Sequence, residues 1–183
     1  MKCLQVFIFF LGLCSFSCCH AYEERGFDEL RKKAKQATKS EKINIYQDLA
    51  WSYKNKNLDS SDYFIQQAIK LAKETSSNVD LVESLVLNGI IEKNKGNYDE
   101  ALTIYHQALS ISQKGEPNIN SSSIYFNISN LYSFLKEDKK AISNYLRGIN
   151  LMEEGKDNPQ EMAEHYLAMS NLYANNQQTD SAE

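Results

Sequence analysis

The chain has 183 residues, only seven of them Gly and two Pro, and a formal charge of −4 at pH 7. So few turn formers argue against a loop-rich β-sandwich, and the mixed, slightly acidic charge lacks the basic patch of a nucleic-acid binder. The one Lys-rich stretch, "RKKAKQATK" at 31–39, follows Asp28 and Glu29 and is expected to be a solvated helix face.

The first 21 residues, "MKCLQVFIFFLGLCSFSCCHA", carry one Lys, a long apolar run and then small residues. That layout is expected of a secretory signal peptide spanning 1–21 and cut after Ala21. An uncleaved anchor is the bland alternative, but the run from Cys3 to Cys19 is short for a membrane span and holds two serines. Ser17-Cys18 also half-fits a lipoprotein leader, in which an acylated Cys18 becomes the new N-terminus. All four cysteines (Cys3, Cys14, Cys18 and Cys19) lie in this leader. No disulfide framework is therefore expected in the mature chain, even though export would permit one.

Beyond the leader, about 160 residues remain, enough for one continuous core. Residues 22–39 read as a leading helix. From there a lattice of small residues repeats. Ala50, Ser61 and Ala68 come first, then Gly89, Ala101 and Ala108, then Ser129, Ala141 and Gly148, and finally Ser170 and Ala182. The gap of seven inside each set is two turns of helix, so both small residues share a face that another helix can approach closely. The first members are 39, 40 and 41 residues apart. Around them Tyr46, Leu49 and Tyr53 recur as Tyr125, Ile128 and Tyr132, and as Tyr166, Met169 and Tyr173. The second set is the poor copy, with Asn88 and Glu92 where Leu and Tyr are expected.

Helix punctuation fits this pattern. Gly96-Asn97 and Lys136-Glu137-Asp138 are expected to separate paired helices, and Ser121 to cap the helix after the loop 114–123. "DNPQE" at 157–161 offers Asn158 as a cap with Pro159 at the first helical position. The closing "QQTDSAE" reads as the opening turn of a second helix in the fourth set. On that reading the array is incomplete at its C-terminus and the chain is a fragment. The stripe Met162, Tyr166, Met169 and Tyr173 would then await cover.

Four in-phase copies of an aromatic, a Leu-small pair and a Tyr, followed by Ala and an aromatic such as Tyr105 or Tyr145, resemble the tetratricopeptide repeat. The spacing near 40 is similar to long-period variants, including exported bacterial ectodomains. The resemblance implies an all-α fold, a right-handed superhelical solenoid of antiparallel helix pairs. It would consist of a capping helix at 22–39 and about three and a half repeats over 40–183.

No catalytic constellation stands out: there is no phosphate loop or nucleophile elbow, and His106 and His165 do not form a metal pair on one helix face. Asn120 and Asn127 match the glycosylation triplet, which is common in a chain so rich in Asn and Ser. In the family, first helices line a concave groove for a peptide or a partner's helix. By resemblance that groove takes Gln47, Trp51 and Lys54 from the first unit and Val86, Ile90 and Lys93 from the second. Phe126, Asn127, Asn130 and Phe134 follow from the third, and Leu167 and Asn171 from the fourth. Gln47, Val86 and Asn127 stand where some members carry the basic residues that grip a carboxylate, so that clamp is not expected. The expected function is a non-enzymatic protein- or peptide-binding scaffold acting outside the cytoplasm. It would need no cofactor and bind no nucleic acid, and would reach a membrane only through a lipid anchor or a missing downstream segment. The alternative is the N-terminal sensor region of a bacterial membrane signalling protein, a histidine kinase or transcriptional regulator.

Overall fold

A computed structural model describes residues 27–114, 121–155 and 159–180, and the regular elements among these residues are all helical. Helix α1 covers 27–36. It is followed by α2 (Lys39–Tyr53), α3 (Leu58–Glu74), α4 (Asn78–Lys95), α5 (Tyr98–Ser112), α6 (Ser121–Phe134), α7 (Asp138–Gly155) and α8 (Pro159–Asp180). The pairs α2–α3, α4–α5 and α6–α7 pack as hairpins, and α3–α4 and α5–α6 contacts stack one hairpin on the next. The first helices also touch in series, α2 on α4 and α4 on α6. The result is a helical solenoid.

Local chemistry sets the boundaries. Thr38 and Glu41 form a reciprocal capping box at the start of α2, with the Thr38 N–H donating to Glu41 Oε2 at 2.8 Å. Those hydrogen bonds hold the Glu41 carboxyl below its usual range. Asn57 and Ser77 cap α3 and α4 by accepting from the N–H three residues on. α4 stops at Gly96, whose φ of +87° lies in the left-handed region where a side chain strains the backbone. Lys136 adopts φ 61° between α6 and α7, making the same kind of turn without a glycine. Ser121 is the first residue of α6, and its hydroxyl donates to Ser112 Oγ at 2.9 Å instead of serving as the cap. Asn158 lies outside the described residues.

The small-residue lattice is where the helices of each hairpin meet. Ala50, Ser61, Ala68, Ala101, Ala108, Ser129 and Ala141 are all fully buried. A Cβ on Gly89 would stand 2.4 Å from the Tyr105 ring, and one on Gly148 would stand 2.5 Å from the Phe126 ring. In the first hairpin Ser61 Oγ donates to the Ala50 carbonyl at 2.7 Å. In the third, Ser129 Oγ donates to the Ala141 carbonyl at 2.7 Å, the same bridge built from the opposite helix.

The poor copy in the second unit is a polar substitute for the usual apolar pair. Asn88 and Glu92 are buried. Glu92 accepts from Lys95 Nζ at 2.8 Å and from Asn97 Nδ2 at 2.7 Å, and Lys95 reaches Asp62 on α3 at 3.2 Å. A charge out of water is tolerated only with such partners, and here they tie the first hairpin to the second.

Helix α1 covers one end of the array. The Phe27 ring stacks on Tyr53 at 4.6 Å, Arg31 Nη2 donates to Tyr53 OH at 3.1 Å, and Ala34 is buried. The basic run points outward: Arg31, Lys32, Lys33 and Lys35 are exposed. Residues 22–26 of the expected leading helix lie outside the described residues.

Helix α8 departs from expectation. It runs unbroken to Asp180, so Thr179 and Asp180 continue it instead of opening a second helix. Between Ala174 and Thr179 stand only Asn and Gln, with no Gly or Pro to stop the helix. Its apolar contacts come from Ala168, Met169 and Leu172, which pack on Phe126, Tyr145, Ile149 and Met152. Tyr166 and Tyr173 are 43% and 40% exposed, so the expected stripe is rotated. The side chain of Met162 lies outside the described residues.

Candidate functional site

Among the described residues, a cleft of about 370 Å³ opens where α2, α4 and α6 come together. Gln47, Asp48 and Trp51 contribute from α2, and Ser123 from α6. Helix α4 supplies most of the floor, with Val79, Val82, Glu83, Val86, Leu87 and Ile90. These α4 residues recur at three- and four-residue steps and therefore lie on one face of the helix.

Two features hold the cleft in shape. Gln47 Nε2 donates to Ser84 Oγ at 3.0 Å and to the Asp80 carbonyl at 3.4 Å, fixing the register of α2 against α4. At the other end of the same helices, Asn94 Nδ2 donates to the Lys54 carbonyl at 3.2 Å and to Asn55 Oδ1 at 3.1 Å. Between these ties Trp51 remains 53% exposed, a large indole left open on a folded surface. The Lys54 ammonium sits 3.4 Å from the centre of the indole ring, a cation–π contact.

The cleft is acidic. Its lining includes Asp48 and Glu83 and no Lys or Arg. Among the described residues neither carboxylate has a cation within salt-bridge distance. Partial burial, with the nearby Asp80 charge second, raises the Glu83 carboxyl above its ordinary range.

The groove residues expected from the sequence divide among several places. Gln47, Trp51, Val86 and Ile90 meet at the cleft. Lys54 lies beside it, and Lys93 is half-buried one turn beyond Ile90 on α4. On α6, Asn127 is half-buried with its amide donating to the Ser123 carbonyl of its own helix at 2.8 Å, while Asn130 is exposed. Phe134, 61% exposed, leans on Tyr98 with ring centres 5.3 Å apart. Leu167 and Asn171 are exposed on α8. Phe126 does not line the groove. It is buried beneath Gly148, 4.8 Å from the Tyr145 ring and stacked on His165 at 4.0 Å, because the missing Cβ of Gly148 leaves room for its ring. His165 Nδ1 and Tyr145 OH share a 2.8 Å hydrogen bond.

Asp48, Val79, Val82, Glu83, Leu87 and Ser123 were missed from sequence. Following the Val86–Ile90 stripe one or two turns back toward the N-terminus of α4 would have found Val79, Val82 and Glu83. Among the described residues, no cluster of three or more His, Cys, Asp or Glu side chains could hold a metal, and no helix is long and apolar enough to cross a membrane.

Stacked helical hairpins whose first helices share a cleft define a protein of the helical-solenoid class. Residues 80–154, most of the second and third hairpins, match the family model of the tetratricopeptide repeat. Solved structures that share the fold include the following three. The apo form of RapI is 21% identical with a TM-score of 0.65 over 83% of this chain and 56% of that one. BtubC (BKLC) from P. vanneervenii is 20% identical, TM-score 0.68, over 84% of this chain and 67% of that one. A Rap protein complexed with Competence and Sporulation Factor is 17% identical, TM-score 0.71, over 90% of this chain and 48% of that one. The chain thus spans 56% of the first of these structures and 48% of the third. No curated protein sequence matches it.

Proposed function

We propose that the chain is a non-enzymatic scaffold that captures a peptide, or an extended segment of a protein, in the cleft between α2, α4 and α6, and that it does so outside the cytoplasm. The open Trp51 indole above an aliphatic floor carries the proposal. Aromatic anchors beside branched aliphatics are what peptide-binding grooves use to gain affinity, while the polar ties at both ends hold the groove preformed. That a Rap protein of the same fold is seen with Competence and Sporulation Factor supports a ligand-binding role for this architecture. The leader at 1–21 supports export, with the mature chain starting at Tyr22.

Trp51 is the only tryptophan in the chain, so its fluorescence reports on the cleft directly. Peptides selected by display on residues 22–183 should shift Trp51 emission and lose binding to Val86→Asp, a variant whose helicity is checked by circular dichroism. Selected peptides that bind this variant equally, or leave the emission unchanged, refute the cleft as the site. Mass spectrometry of protein exported from a bacterial host should find Tyr22 at the N-terminus. An acylated Cys18 would place the scaffold on a membrane surface, and a membrane-embedded species retaining Met1 would favour the membrane-sensor reading.

A further inference from the structure

Given the peptide-binding reading of the cleft, on which this inference rests, we infer that its occupant carries a basic residue next to a branched aliphatic one. The aliphatic side chain would fill the floor formed by Val79, Val86 and Ile90, and the cation would lie between Asp48 and Glu83.

The geometry supplies both halves of that signature. A volume of about 370 Å³ holds roughly two side chains, at the small end of the range for ligand clefts, so it suits an extended segment better than a whole helix. The floor is aliphatic and half-buried, which favours a branched apolar side chain over an aromatic one. The rim is where the charge lies. Gln47 ties α2 to α4 at Ser84, so its neighbour Asp48 and the neighbour of Ser84, Glu83, flank one level of the cleft.

Nothing among the described residues neutralises those two carboxylates. Lys54 lies six residues beyond Asp48, about 9 Å along the helix, and its ammonium is engaged over Trp51. Lys93 stands further still toward the same C-terminal end. Carboxylates on a cleft rim that have no cation of their own are stabilised by an incoming guanidinium or ammonium, and together they repel an acidic alternative. An acidic peptide would instead meet Asp48 and Glu83 together.

The test is an array of terminally blocked octapeptides in which two adjacent positions are fixed as every pair of the twenty residues and the others are randomised. Arg or Lys beside Ile, Leu or Val should retain residues 22–183 about tenfold more strongly than Gln or Glu beside the same aliphatic residue. The double variant Asp48→Asn, Glu83→Gln should erase that tenfold preference while keeping the aliphatic one. It should also keep the Trp51 fluorescence response. Equal retention of basic, neutral and acidic pairs overturns the inference, as does a basic preference that survives the double variant, while the peptide-binding reading stands in both cases. If no pair is retained and Trp51 never responds, the peptide-binding reading fails as well.

Discussion

Replacing Gly89 with Ala tests the packing at the centre of the array. In an exposed helix this change stabilises by about 1 kcal/mol, because glycine is the poorer helix former. Here the new Cβ would lie 2.4, 2.7 and 2.8 Å from three atoms of the Tyr105 ring, where ordinary contact begins at 3.4 Å. The ring must therefore retreat by about 1 Å, and it has nowhere to go: Tyr105 is 1% exposed and sits in the continuous core built from α2 to α6. Overpacking of this kind costs about 3 kcal/mol at the upper end. Set against the propensity gain, the net loss should be about 2 kcal/mol. Urea melts followed by circular dichroism should show a lower midpoint at unchanged slope, with a fall in Tm of about 5 °C. Shortening the obstacle should relieve the clash, so Gly89→Ala combined with Tyr105→Leu should be at least about 1 kcal/mol more stable than additivity predicts. A Gly89→Ala variant as stable as the parent, or strict additivity in the pair, would mean that Tyr105 does not occupy the space above Gly89. The same change at Gly148 faces the Phe126 ring at 2.5 Å but in a smaller satellite core, and should cost less, about 1 kcal/mol.

Ser61→Ala and Ser129→Ala each remove a fully buried hydroxyl donor to a carbonyl and should each cost about 1 kcal/mol in the same melts; no loss in either would mean the bridge contributes nothing net. Tyr145→Phe removes the bond to His165, and hydrogen exchange should speed up in α8 while the central hairpins keep their protection. Stability should decline as pH rises through about 10 and above, by two routes. Burial raises the Tyr105 and Tyr145 phenols, so the unfolded chain loses those protons first. For Lys95, burial acts to lower its proton affinity, but the hydrogen bonds to Glu92 and Asp62 outweigh it and raise the ammonium overall. Its contribution is therefore intact below the unfolded value and lost above it, and Glu92→Gln should flatten that part of the alkaline limb. Glu83→Gln should leave the protein equally or slightly more stable at pH 7, since the raised carboxyl is a group the fold prefers protonated; a clear loss would expose an unrecognised favourable contact.

The lattice of small residues was legible because backbone proximity leaves no choice of side chain. Where two helices cross closely, only Gly, Ala or Ser fits, and seven-residue spacing survives any change in the rest of the sequence. The same constraint explains why the second unit could carry Asn88 and Glu92 without leaving the array. Its small positions are kept at Gly89, Ala101 and Ala108, and the polar pair finds partners in Lys95 and Asn97, three and five residues beyond Glu92, and in Gln66 on α3, which no local pattern announces. The position of Phe126 was illegible for a related reason. Nothing near it in sequence marks it as buried, but the absent Cβ of Gly148, 22 residues later, opens a socket that takes the ring.

Cleft residues obey no such spacing rule, since no neighbouring helix crosses closely over them. Gln47 and Trp51 could be placed by counting from Ala50, and Val86 and Ile90 by counting from Gly89. The acidic rim could not be placed that way, because Asp48 and Glu83 look like ordinary solvated charges until α2 and α4 are seen side by side. Two surface carboxylates on separate repeats become one feature only through the register that the Gln47–Ser84 bond enforces. On the proposed peptide-binding reading, specificity therefore resides in side chains that the repeat leaves free to vary, positioned by small residues that it does not. Exchanging the rim pair should alter which peptides bind while leaving the fold untouched, whereas exchanging a lattice glycine should unsettle the fold first.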